Sequence, residues 1–230
     1  MFKTIGIIGG LSPESTVSYY LHITRTSAAM FGGSRSPEVV IVSVDLEQYH
    51  QWRTAGRWDA IAGHLARCAD RLLAAGADFG VIATNTMHKV FDQTQALTRL
   101  PLLSIFDPLV RDIRRNNAAT VGLLGTTTTM GDPFYAETLA REGIATVVPG
   151  PEEQREIHRI IVEELVLGVM KDESRDYYLR VMDGLAKQGA QGVILGCTEI
   201  PLLVTPGHTD MLLFDTAVLH ADAALHRAVE

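Results

Sequence analysis

Eight short runs of β-branched and aliphatic residues, spaced by longer stretches of helical period, constrain the fold more than any other feature. The runs cover residues 4–8, 39–44, 79–83, 102–105, 120–124, 145–148, 192–195 and 211–214. The stretches between them read like AIAGHLARCADRLLAAGAD (60–78), which places Ile61, Leu65, Cys68, Leu72 and Leu73 on one helical face. An apolar run without polar alternation suits a strand covered on both sides, and such strands belong to parallel sheets whose crossovers are helices. The fold class expected is therefore α/β.

The chain also repeats itself. TIGIIGG (4–10) aligns with TVGLLGT (120–126) at an offset of 116, with Thr4/Thr120, Gly6/Gly122 and Gly9/Gly125 identical. LARCADRLLAAGADFGVIAT (65–84) aligns with YLRVMDGLAKQGAQGVILGC (178–197) at an offset of 113. There Arg67/Arg180, Asp70/Asp183, Leu72/Leu185, Gly76/Gly189 and Ala77/Ala190 coincide. Shared α/β composition could produce one such match; two at nearly constant offset favour a duplicated, doubly wound lobe. The expected boundaries are residues 1–108 plus 213–230 for the first lobe and 109–212 for the second, related by a pseudo-twofold axis. The final segment (214–230) should pack back on the first lobe. The alignment sets Thr84 opposite Cys197, each just beyond a strand's C-terminal end, where open α/β sheets bind ligands. A cleft between the lobes would let one small molecule meet both loops.

Charge and composition remove several function classes. The 230 residues carry a net charge of −7, which gives no basic field for nucleic acid or anionic lipid. The opening MFKTIGIIGG has too short an apolar run for a signal peptide or a membrane span. The two cysteines, Cys68 and Cys197, lie outside any CxxC pattern, which points to a reducing cytoplasm. Eight histidines show neither HxH nor HxxxH spacing, so no metal site is expected.

Polar residues collect at the strand ends. In GGLSPEST (9–16), Ser12, Pro13 and Glu14 read as an N-cap, a first-turn proline and a first-turn acid. The turn could offer backbone N–H groups to an anion or could simply join strand to helix. It is not a dinucleotide fingerprint, because GIIGG departs from GxGxxG. In the second lobe, GTTTTMGDPFY (125–135) offers Thr126 and Thr128 as hydroxyls for a carboxylate, or as turn residues.

Three segments then carry a specific resemblance. GGLSPES (9–15), TNTMHK (84–89) and GCTEIPLL (196–203), in this order, resemble the aspartate/glutamate racemase superfamily. The likeness extends over the duplicated lobes and into the FDT segment before the last helix. It implies a racemase without pyridoxal phosphate or metal, acting on a small amino acid or dicarboxylate. In such enzymes two thiols flank the α-carbon; one removes its proton and the other protonates the opposite face. Cys197 matches the second cysteine. The first departs from the pattern, since Thr84-Asn85-Thr86 stands where the family has Cys-Asn-Thr. A threonine hydroxyl is a poor base, so activity should favour one enantiomer. The resemblance further implies that Asn85, Thr86, Thr198 and Glu199 bind substrate together with Ser12, Thr126 and Thr128. It also implies a homodimer. Arg53 is the cation expected for a distal carboxylate, since the family's lysine has no counterpart in IIVEELVLG (160–168). Cys68 is expected in the core, and His88, one turn past Thr84, as a residue orienting it. The alternatives are a single-cysteine decarboxylase or cis–trans isomerase of the same superfamily, or a non-catalytic small-acid binding protein.

Overall fold

A computed structural model describes residues 2–230. All eight apolar runs become strands, divided between two four-stranded parallel sheets. The chain forms two compact units, one reaching to Asp107 and including Ala217–Glu230, the other spanning Pro108–Thr216.

The first unit contains β1 (Ile5–Gly9), α1 (Pro13–Phe31), β2 (Val39–Ser43), α2 (Leu46–Thr54), α3 (Trp58–Ala74), β3 (Phe79–Ile82), α4 (Phe91–Leu97), β4 (Leu102–Leu103) and the first two residues of α5 (Phe106–Arg115), the rest of which belongs to the second. The second contains β5 (Thr120–Leu124), α6 (Thr127–Gly131), α7 (Pro133–Arg141), β6 (Ala145–Val147), α8 (Pro151–Glu163), α9 (Asp172–Lys187), β7 (Gly192–Leu195), α10 (Ile200–Leu203) and β8 (Leu212–Asp215). The last helix, α11 (Thr216–Val229), returns to the first unit. Strand order is β2-β1-β3-β4 in one sheet and β6-β5-β7-β8 in the other, the same topology twice.

Alternation along β1 sorts its side chains between two layers of helix. Ile5 and Ile7, with Phe79 and Val81 of β3, pack on Tyr19 and Ile23 of α1 and on Ala217, Ala221, Ala224 and Leu225 of α11. Ile8 and Ile82 face the other way, toward Ile61, Leu65, Cys68 and Leu72 of α3. Truncating a buried leucine such as Leu72 to alanine would cost about 3 kcal/mol.

The identities in the repeat have a physical content. A Cβ on Gly6 would come within 3.0 Å of Leu72 Cδ1, and one on Gly122 within 2.9 Å of Leu185 Cδ1. The glycine on the first strand of each unit thus admits the leucine of the helix above it. Three to five residues later both helices stop in the same way. Gly76 (φ +93°) and Gly189 (φ +98°) adopt the left-handed conformation. The Ala77 and Ala190 amides then return to the Leu72 and Leu185 carbonyls, both at 3.0 Å. This is the Schellman stop, which glycine adopts without a Cβ penalty. The two offsets of the sequence repeat therefore meet in one contact, made once in each unit.

One strand is shorter than its sequence suggests. The run 102–105 pairs only at Leu102–Leu103, because the Ile105 amide leaves the ladder and donates to His88 Nε2 at 3.0 Å.

Candidate active site

Within each sheet the chain reverses its direction of strand addition beside the first strand: β2 lies on one side of β1 and β3 on the other. The carboxyl ends of β1 and β3 therefore flank a switch point, as do those of β5 and β7, and this is where open α/β sheets hold ligands. Ser12 and Thr84–Thr86 follow β1 and β3; Thr126–Thr128 and Cys197–Glu199 follow β5 and β7.

In the second unit, β7 is wholly buried and ends against β5, where the Gly196 amide donates to the Leu124 carbonyl at 2.7 Å. The turn that follows brings three side chains together. Cys197 Sγ donates to Glu199 Oε2 at 2.9 Å, and Thr198 Oγ1 donates to the same oxygen at 2.9 Å. The Ile200 amide closes the turn on the Cys197 carbonyl at 3.2 Å. Cys197 and Thr198 are partly accessible, whereas Glu199 is only 3% exposed. Burial first, then the adjacent carboxylate, pushes the Cys197 thiol well above its ordinary pKa. Cys197 thus rests as a protonated thiol. Across the switch point, Thr126 caps α6, accepting from the Thr129 amide at 3.4 Å. Thr128 lies in that same short helix, partly buried.

In the first unit, the Ala83 amide still pairs with Ile8 of β1, and the chain then turns at Thr84. Thr84 is partly accessible, and its hydroxyl has no hydrogen-bond partner among the described residues; Asn85 and Thr86 are buried. Residues 86–90 form a single 3₁₀ turn. Ser12 is the N-cap of α1 and accepts from the Ser15 amide at 3.3 Å. The Gly10 amide is engaged by Thr16 Oγ1 at 2.9 Å.

The turn at Thr84 rests on two histidines, of which sequence reasoning singled out only one. Ile105 N–H donates to His88 Nε2, so His88 Nδ1 carries the proton and donates to the Thr84 carbonyl at 2.7 Å. His220 of α11 lies beside it, ring centroids 5.7 Å apart. His220 Nε2 donates to the Leu103 carbonyl at 2.9 Å, leaving Nδ1 to accept from the Tyr19 hydroxyl at 2.9 Å. Burial lowers both histidines, His88 to about 3 and His220 to about 4. A histidine in an alanine-rich helix gives no local signal of this role; only the pairing of α11 with α1 and β4 exposes it.

Arg53, on α2, is partly buried, has no ion-pair partner among the described residues, and has its pKa lowered by burial. Cys68 is 1% exposed in the core, near His64 Nδ1 at 4.0 Å, and burial raises its thiol pKa. Of the two adjacent acids at the end of α8, Glu163 is exposed. Glu164 is instead buried, held by Ser174 Oγ at 2.6 Å, Arg159 at 2.9 Å and Lys171 at 3.2 Å. That network joins α8 to α9. Among the described residues no cluster of three or more metal-ligand side chains occurs, and no helix is long and apolar enough to cross a membrane.

Comparison with known proteins bears on what this arrangement does. The family model described as Asp/Glu/Hydantoin racemase matches residues 8–224. A Yersinia pestis protein described as a candidate Asp/Glu racemase is 41% identical, with a TM-score of 0.93 over 99% of this chain and 100% of that one. PH1733 from Pyrococcus horikoshii OT3, an aspartate racemase homologue, is 38% identical, with a TM-score of 0.90 over the whole of both chains. The glutamate racemase of Roseiflexus sp. (strain RS-1) is 28% identical over 179 residues, 74% of this chain; the match spans 62% of that protein's length.

Proposed function

The chain belongs to the Asp/Glu/Hydantoin racemase family, whose named members are isomerases, and on that premise we propose that it racemises an aspartate- or glutamate-like amino acid by moving its α-proton. The observation that carries the proposal is the Cys197 turn: a partly accessible thiol at a switch point, hydrogen-bonded to a buried carboxylate. Inversion needs a second acid/base group on the other face of a planar carbanion. The proposal assigns this part to Thr84, which the repeat aligns with Cys197 and which ends the equivalent strand of the first unit. Thr84 delivers a proton, or relays one from water, better than it removes one, so one enantiomer is favoured.

Asn85, Thr86 and Thr198 are proposed to hold the α-carboxylate and amino group, with Ser12, Thr126 and Thr128 at the neighbouring strand ends. Arg53 is proposed to pair with the distal carboxylate, as a guanidinium without a carboxylate partner among the described residues can do bidentately. The chemistry is proposed to need no pyridoxal phosphate and no metal. The protein is proposed to work as a homodimer in the cytoplasm, where a reducing environment keeps thiols such as its two cysteines free.

The test is α-proton exchange in D₂O, followed by NMR with single enantiomers of aspartate and glutamate. Exchange should occur in the parent and vanish in folded Cys197→Ser and Cys197→Ala. Parental exchange in either variant would remove Cys197 from the mechanism. The substitution of threonine for the first thiol supports one other reading, a single-cysteine decarboxylase or isomerase. It predicts turnover of a malonate- or maleate-like acid with no exchange on amino acids.

A further inference from the structure

We infer that His88 is a positioning residue for inversion: its Nδ1–H bond to the Thr84 carbonyl sets the direction from which the Thr84 hydroxyl reaches the substrate. This rests on the racemase reading in which Thr84 serves the face opposite Cys197.

The bond replaces one that the backbone does not make. In an α-helix the amide of residue 88 would donate to the carbonyl of residue 84, four positions earlier. Here the chain takes a 3₁₀ turn, and the His88 amide donates to the Asn85 carbonyl at 3.0 Å instead. The Thr84 carbonyl, passed over by that amide, accepts from the imidazole of the same residue at 2.7 Å. The Thr84 amide meanwhile donates to the Ile82 carbonyl at 2.8 Å. With both backbone groups of Thr84 bonded, its hydroxyl oxygen moves only by rotation about Cα–Cβ, between a few staggered positions.

The imidazole is itself held in place. Its Nε2 accepts from the Ile105 amide at 3.0 Å. The ring lies parallel to Phe91, with centroids 5.4 Å apart and planes 5° apart, and meets Phe106 and His220 edge-on. His88 is buried, and burial lowers its pKa to about 3, so near neutrality the ring is uncharged with its one proton on Nδ1. A ring bonded at both nitrogens and packed on three sides transmits a position to the residue it touches; a solvated one would not.

The second unit treats the equivalent carbonyl differently. The repeat aligns Thr84 with Cys197 and His88 with Pro201. Proline brings no side-chain donor, and the Cys197 carbonyl takes a backbone amide, that of Ile200, at 3.2 Å. The side-chain clamp thus belongs to the unit whose strand ends in the weaker acid/base. An alcohol of high pKa delivers a proton only at short distance and good alignment, so a fixed direction benefits it more than it benefits a thiol.

Two substitutions separate the two bonds of the ring, because an asparagine amide falls near Nδ1 and a glutamine amide near Nε2. His88→Asn can still donate to the Thr84 carbonyl but gives up the Ile105 amide. His88→Gln can accept from Ile105 but releases Thr84. The reaction is run in D₂O on whichever enantiomer of aspartate or glutamate exchanges faster, and chiral chromatography gives the inverted share of the α-deuterated product. Deuteration with retention needs Cys197 alone, whereas inversion needs the Thr84 side. His88→Gln should lower the inverted share by about fivefold or more, and His88→Asn should keep it within about twofold of the parent. A packing role would lower the melting temperature and the turnover of both variants and leave the share unchanged. An unchanged share in folded His88→Gln, or an equal fall in both variants, would overturn the assignment. Should His88→Gln not fold, the ring ¹⁵N signals of the parent decide: at pH 7 the proton must sit on Nδ1, and a ring protonated on Nε2 or on both nitrogens would also overturn it. A parent that neither exchanges nor inverts an amino acid would defeat the racemase reading, while the ring signals still test the contact.

Discussion

Cys197 and Thr84 end equivalent strands, but a thiol of ordinary pKa about 8.5 and an alcohol that does not ionise near neutrality differ greatly as bases. That difference acts within a thermodynamic limit. Free enantiomers are equally stable, so kcat/KM must be the same in both directions, and any preference lies in kcat and KM separately. Thr84→Cys supplies a second ionisable group and should raise kcat/KM in both directions together, by about tenfold or more. Initial rates for each enantiomer, over a range of substrate concentrations, measure it. No gain in a folded variant would show that Thr84 is not the second acid/base and would favour the decarboxylase or isomerase alternative. At this scale the sequence was informative where a motif names its chemistry: GCTE marks the thiol and TNT marks the missing one. It offered Glu199 only as a substrate ligand, because whether a carboxylate two residues from a thiol points toward it depends on turn geometry, not composition.

The elements of the first unit are tied at a buried polar knot. Tyr19 of α1, His220 of α11, the end of β4 and His88 of the 3₁₀ turn satisfy one another in sequence, and the last bond is to the Thr84 carbonyl. All of these groups are paired with both histidines neutral, so protonation has no acceptor to meet it. Unfolded histidines take up protons below about pH 6.5, whereas the folded ones resist until about 4 and about 3. The unfolded state then binds more protons, and stability falls as the pH drops from about 6.5 toward 3. Thermal melts of the parent between pH 7 and 4 should show that decline. His220→Gln should be less stable at pH 7 but lose less on acidification; equal slopes would show that His220 does not contribute. The elements themselves were largely legible, because buried parallel strands are unbroken apolar runs and α3 keeps a clear helical period. What escaped were the joints. The 3₁₀ turn at residues 86–90 and the early end of β4 follow from His88 meeting Ile105 across 17 positions, which no local pattern encodes.

For the whole molecule, duplication is the governing fact. The same strand order occurs twice, one helix–strand contact in each unit is set by a glycine and a leucine, and each unit presents polar residues at its switch point. The proposed chemistry uses only side chains of the chain, so α-proton exchange should be unaffected by EDTA and by carbonyl reagents. Inhibition reversed by adding back a metal or pyridoxal phosphate would show that a cofactor takes part. The repeat in the sequence conveyed this architecture because its identities sit where the backbone allows least freedom. The strand ends, free of that packing demand, could diverge into a threonine on one side and a cysteine on the other.

The second unit is one continuous stretch of chain, but the first is completed by α11, which follows it in sequence. Tyr19, Ile7, Phe79 and Val81 are covered partly by residues of α11, which lie far beyond them in sequence. On the ribosome, the half of the protein made first is therefore the half finished last. Its sheet must wait with one apolar face covered by α1 alone while Pro108–Thr216 is synthesised and folds, and only the arrival of α11 closes it.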